Sequence, residues 1–169
     1  MHKTSTLTIN KVNILSIIKF AALIGVATIV PLFHFQPVTG PIVNATLFIA
    51  AATLGAQSAI LVGLIPSIIA LSSGLLPPVL APMIPFIMLS NAILIMTYSH
   101  LAKQNYWLNI ALASTIKFLF LFATSSVVIN LLLQKEIADT VALMMSWPQL
   151  VTALAGGIIA YPIIKLMKK

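Results

Sequence analysis

Lys117 lies well inside the apolar run from Leu108 to Leu133, with no acidic residue near it in sequence. An ammonium near the centre of a bilayer costs roughly 2.5–3.5 kcal/mol on insertion scales, and it is tolerated where it faces a cavity, water or an anionic partner. The only acids in the chain are Glu136 and Asp139, both beyond the end of that run. The charge is therefore expected to meet water or a partner from outside the chain. The chemistry this suggests is capture of an anionic small molecule within the membrane, by charge pairing to a carboxylate or phosphate.

Few other polar residues interrupt the apolar runs, so each can be weighed. Asn91 falls at a depth comparable to Lys117 in a separate run. It either contacts the solute or bridges two helices, a contact worth about 0.6–2 kcal/mol in membranes. Asn44 either faces the solute or caps the start of its helix by accepting a backbone N–H. Gln36 and Thr39 belong to a Pro- and Gly-rich segment, His34 to Ile42, expected as an outer loop. Gln149 and Trp147 flank Pro148 at the start of the last apolar run. Trp147 either offers a stacking face or sits in the interfacial aromatic belt. Gln36, Thr39, Asn44, Asn91, Lys117, Trp147 and Gln149 are thus the candidate solute-binding residues. They fall in one half of the membrane or near mid-depth, as for a pocket open to one side with Lys117 at its floor.

Other chemistries lack their residues. With no Cys there is neither a disulfide nor a thiolate metal site. The three His show no ligand spacing, so no metal and no other cofactor is expected. Ser72-Ser73-Gly74 is not a nucleophile elbow. Intramembrane acids for acid–base work or proton coupling are missing, as is a Gly-rich phosphate loop. The chain is not expected to be an enzyme. If it moves solute uphill, the energy comes from another subunit.

The elements that position these groups follow from composition. The 169 residues are 60% hydrophobic and only 7% charged, with a mean hydropathy of +1.13. Soluble domains carry about 25% charged residues, so this is a polytopic membrane protein. The expected fold is all-α, a single integral-membrane domain of six transmembrane helices. The spans are read at residues 14–33, 40–54, 56–73, 79–99, 107–133 and 143–167. Pro82, Pro85 and Pro148 suit first helical turns, where a missing N–H has no partner to lose. Pro66 is interior and predicts a kink. The segment from Gly74 to Pro82 is apolar and Pro-rich, and it is expected to pack as a stiff lid over helix ends. The polar residues Met1 to Asn13 lack a signal-peptide pattern, so the first run is expected to remain as a helix.

The lysines orient the bundle. Six crossings put Lys3, Lys11, Lys19, Lys103, Lys165, Lys168 and Lys169 on one side, and Lys135 with both acids on the other. Positive loops stay cytoplasmic, so both termini are expected there. The net charge of +7 reflects topology and anionic headgroups rather than nucleic acid. In the first span, Ala21 and Gly25 are four apart on one face. That spacing serves close approach of another helix, either within the bundle or from a partner subunit.

A set of local runs adds to this. Gln36-Pro37-Val38-Thr39-Gly40-Pro41-Ile42-Val43-Asn44-Ala45 is followed by Leu54-Gly55 and Gly63-Leu64-Ile65-Pro66-Ser67. Then comes Gly74-Leu75-Leu76-Pro77-Pro78-Val79-Leu80-Ala81-Pro82-Met83-Ile84-Pro85-Phe86, ending at Asn91. Together with length, span count and topology, these resemble the substrate-binding S component of energy-coupling factor (ECF) transporters, and look most like the group labelled by association with iron-only hydrogenase. The resemblance implies micronutrient uptake across the cell membrane of a prokaryote, as for a vitamin or cofactor precursor. It also implies a membrane coupling subunit and two cytoplasmic ATPase subunits as partners. Family members bind solute in an outward cavity closed by the loop after the first span and lined by spans four to six. Gln36, Thr39, Asn91, Lys117, Trp147 and Gln149 stand at matching places. The family's Ala-xxx-Ala contact to the coupling subunit corresponds here to Ala21 and Gly25. Signatures of the biotin, riboflavin and thiamin subfamilies are missing. The rival expectation is a non-transporting membrane scaffold or assembly factor, which needs no pocket.

Overall fold

Inside a bilayer every backbone N–H and C=O has to be paired within the protein, which leaves helices or a closed barrel. The computed structural model describes residues 14–132 and 141–167, and among these it is helical with no strand. The helices are α1 (Ile14–Ile29), α2 (Gln36–Leu54), α3 (Ala56–Ser72), α4 (Ile84–His100), α5 (Tyr106–Leu132) and α6 (Trp147–Met167). Short 3-10 helices, Val30–Phe33 and Pro78–Met83, follow α1 and precede α4. Five segments are long and apolar enough to cross a membrane: Ile14–Phe33, Gln36–Leu54, Pro78–His100, Tyr106–Val128 and Val141–Met167. α3, with 17 residues, is a shorter apolar helix. The N-terminal segment, the loop Gln134 to Thr140 with Lys135, Glu136 and Asp139, and Lys168 and Lys169 lie outside the described residues.

The outer loop expected from His34 to Ile42 is replaced by helix from Gln36 onward. Pro37 occupies the first turn of α2, where no N–H is needed. Pro41 sits further in and forgoes one helical bond. The earlier start makes Asn44 a mid-helix residue, which removes its role as a cap. The chain reverses before α2 at His34, the only non-glycine with positive φ among the described residues (φ 54°). Its ring also bonds the Ser73 carbonyl, tying the α1–α2 link to the end of α3. Pro66 lies within a continuous α3. The expected fourth span divides into the 3-10 turn and α4, and the last helix proper starts at Trp147, beside Pro148, after a helical turn at 141–144.

α2 is the central helix. It packs on α1, α3 and α4 and most extensively on α6, and from Val43 to Ala51 every residue is buried. Glycines bring α6 close. A Cβ on Gly156 would stand 2.6 Å from Asn44 Cβ and 2.8 Å from both Ala45 N and Pro41 O. Lipid tails are as apolar as Leu, so this close packing, rather than escape from water, holds the pair together. One apolar cluster joins Leu47, Phe48, Leu94 and Ile110 in the middle of the bundle. A second joins Leu76, Leu80 and Met83 to Leu121, Val128, Val141 and Met145. The apolar Pro-rich segment therefore packs onto α5 and the approach to α6.

Candidate functional site

Lys117 is 3% exposed, and α5 carries it into the space between α2 and α4. Its Nζ donates to Asn44 Oδ1 at 2.7 Å and to Asn91 Oδ1 at 2.8 Å. Each amide is oriented by its other end. Asn44 Nδ2 donates to the Gly40 carbonyl at 2.9 Å, one turn back on α2. Asn91 Nδ2 donates to the Gly63 carbonyl of α3 at 2.8 Å. The two NH₂ groups are occupied by carbonyls, so both amide oxygens turn to the ammonium. Four helices meet in this network.

Here the structure corrects an expectation. The ammonium does not rely on a partner from outside the chain for hydrogen bonds, because two amides supply them. Hydrogen bonds to a charged group contribute about 1.5–3 kcal/mol each, so two of them offset an insertion cost of similar size. The amides are neutral, and the described residues contain no Asp or Glu. The unit charge stays uncompensated there, and an ammonium has a third N–H to give.

The network borders a cavity of about 70 Å³. Gln36, Thr39, Asn44, Asn91, Lys117 and Gln149 line it, so six of the seven residues expected to bind solute converge on one space. Thr39 is buried, with its hydroxyl 3.4 Å from the Val30 carbonyl. Gln149 donates through Nε2 to the Met144 carbonyl at 3.0 Å. The seventh, Trp147, lies outside the cavity and is 61% exposed at the start of α6. Ala21 is exposed and Gly25 half-buried on α1, with nothing within 4 Å of a Cβ built on Gly25. No group of three His, Asp or Glu among the described residues is placed to hold a metal.

Several polar residues of consequence escaped the sequence reading. Ser67 lines the cavity, is 3% exposed, and its hydroxyl has no partner among the described residues. Asn109, Ser114 and Ser125 are buried on the same helix as Lys117. They stand eight, three and eight residues from Lys117, and this near-helical spacing was the available signal. Small hydroxyls in an apolar run look innocuous one at a time.

Cavity dimensions limit what the site can hold. Small-molecule sites typically enclose about 300–1,000 Å³, so 70 Å³ admits a few waters or a fragment. The wall includes Leu75 and Leu76, from the segment joining α3 to α4. Space for a larger guest has to come from displacement of that apolar cover. Chemically, the arrangement offers one cation, one unengaged hydroxyl and several amides, a set suited to binding an anion. No family model, curated protein or solved structure matches this chain.

Proposed function

We propose that this protein is the membrane-embedded solute-binding subunit of an ATP-driven uptake transporter, of the kind the ECF S components represent. The observation that carries the reading is the buried Lys117 ammonium, uncompensated among the described residues and bordering a cavity lined by five other polar candidates. The solute is a small anionic micronutrient, a vitamin or cofactor precursor, whose carboxylate or phosphate takes the third N–H of Lys117. Ser67 and Gln36 add hydrogen bonds. Six crossings, with α3 as the short one and both termini cytoplasmic in a prokaryotic cell membrane, accord with the lysine distribution. A membrane coupling subunit meets the uncovered Ala21–Gly25 face of α1, and two cytoplasmic ATPases drive reorientation.

A second reading is favoured by one observation. Lys117 already has two amide partners and the cavity is small, as suits a polar pin in a non-transporting scaffold. The two separate on purified protein. Mass spectrometry of co-purifying small molecules, followed by a thermal-shift screen of carboxylate and phosphate micronutrients, identifies the solute. Lys117→Met then weakens it by about tenfold or more, the worth of a charge-assisted bond. Affinity unchanged within about twofold, or no solute at all, leaves the scaffold reading.

A further inference from the structure

A second space opens at the other end of the bundle, where α3, α4 and α5 meet the links joining them. It is a cleft of about 480 Å³ whose walls include Gly55, Tyr98, Ser99, Gln104, Tyr106 and Asn109. Asn109 is 2% exposed. Its Nδ2 donates to the Tyr98 carbonyl at 2.8 Å, which fixes the amide and leaves Oδ1 buried with no partner among the described residues. The Ser99 hydroxyl is also buried and unpartnered. A buried acceptor left unpaired costs about 1–3 kcal/mol. Both residues line the cleft, so the unpaired acceptor lies in its wall.

Water alone would satisfy Oδ1, but the surroundings ask for more. Ala56 and Ser99 also border a shallow groove of about 710 Å³, whose walls include Met96, Leu101 and Ile116. A polar recess thus runs into an apolar trough at the level where α4 ends and α5 begins. Tyr98, Tyr106, Trp107 and Tyr161 cluster there with ring centroids 5.0–6.3 Å apart, as aromatic side chains do at a headgroup boundary. His100 lines the groove, and Lys103, exposed, lies in the α4–α5 link between the lining residues Ala102 and Gln104 in sequence. No acid occurs among the described residues.

The geometry points to a phospholipid site, with the head in the recess and one acyl chain in the groove. The free Asn109 acceptor selects a head that carries a donor, and Lys103 selects a net anion. Phosphatidylglycerol has both. Phosphatidylcholine has neither, phosphatidic acid offers chiefly charge, and phosphatidylethanolamine brings an ammonium toward Lys103. This inference stands apart from the solute reading and needs only the bilayer.

Native mass spectrometry of the purified full chain, given an equimolar mixture of these four lipids, tests it. Phosphatidylglycerol adducts are expected to exceed phosphatidylcholine adducts by about fivefold, near the worth of one good hydrogen bond. Asn109→Leu removes most of that preference, and Lys103→Gln weakens phosphatidylglycerol and phosphatidic acid together. Should Asn109→Leu fail to fold, Ser99→Ala decides, with a reduced preference expected. Equal retention of all four lipids, as for a recess holding only water, overturns the proposal. So does a preference that survives both the Asn109 and Ser99 changes. Glycerol 3-phosphate is the soluble arm: if it raises the melting temperature as much as the lipid does, the cleft is a solute site and the lipid proposal is wrong.

Discussion

Lys117 Nζ and Asn44 Oδ1 lie 2.7 Å apart although 73 positions separate them in the chain. The contact joins α5 to α2, two helices whose packing on each other is slight beside that of α2 on α6. Polar chemistry, not apolar complementarity, fixes their relative position at this depth.

A double-mutant cycle measures that coupling. Asn44→Leu takes away one of two partners of a buried cation and should lower stability by about 1.5–3 kcal/mol. Lys117→Met removes the charge but strands two amide oxygens. The double variant should be more stable than the sum of the singles by about 0.5 kcal/mol or more, since contacting residues are non-additive. Unfolding in mild detergent followed by denaturant titration reads this out, and additive effects would show that the 2.7 Å contact contributes nothing.

Gly55 is the single residue between α2 and α3, at φ 83° and ψ 167°. That region is open essentially to glycine alone. Gly55→Ala should destabilise by about 1–3 kcal/mol although nothing lies within 4 Å of the added methyl. A melting temperature equal to that of the unaltered protein would mean the turn adopts another conformation.

Gly156 and Gly25 should respond oppositely to the same change. Gly156→Ala drives a methyl into the α2 backbone, and overpacking of this kind costs about 1–3 kcal/mol. Gly25→Ala meets open space and should leave stability equal or raised by up to about 1 kcal/mol through helix propensity. A bulky Gly25→Leu should likewise fold, yet, on the transporter reading, lose co-purification with the proposed coupling subunit. Retained co-purification would remove the α1 face from the partner interface.

Orientation is accessible to labelling because the chain has no Cys of its own. Ser72→Cys and Gln104→Cys place single thiols at exposed positions at opposite ends of α3–α4. A membrane-impermeant maleimide added to intact cells should modify the first, and reach the second only after permeabilisation. The reverse pattern would invert the topology.

The helical class, the approximate spans and the convergence of Lys117, Asn91 and Asn44 were legible because charge and amides are conspicuous in apolar runs. Their mutual bonding was not, since the depth of a residue in its span does not reveal which way it turns. The start of α2 was hidden by Pro37, Gly40 and Pro41, residues that read as loop. Pro37 is harmless in a first turn, and Gly40 is needed there because Thr152 Cγ2 would come within 2.8 Å of a Cβ. Trp147 reads as either a stacking face or a belt residue, because bulk and aromaticity carry no information on direction. The lone serines, Ser67 and Ser114, matter through what surrounds them, and one sequence does not display that.

The tight seating of Gly156 against α2 has a consequence for the network beside it. With α6 close against its Cβ and its Nδ2 on the Gly40 carbonyl, Asn44 is held at both ends of its side chain. Rearrangement of the ammonium therefore draws on the long methylene stem of Lys117, the flexible member of the network. Asn44 and Asn91 are held alike, each by a backbone carbonyl, so on the solute-binding reading substitution of either should alter how tightly a guest is held.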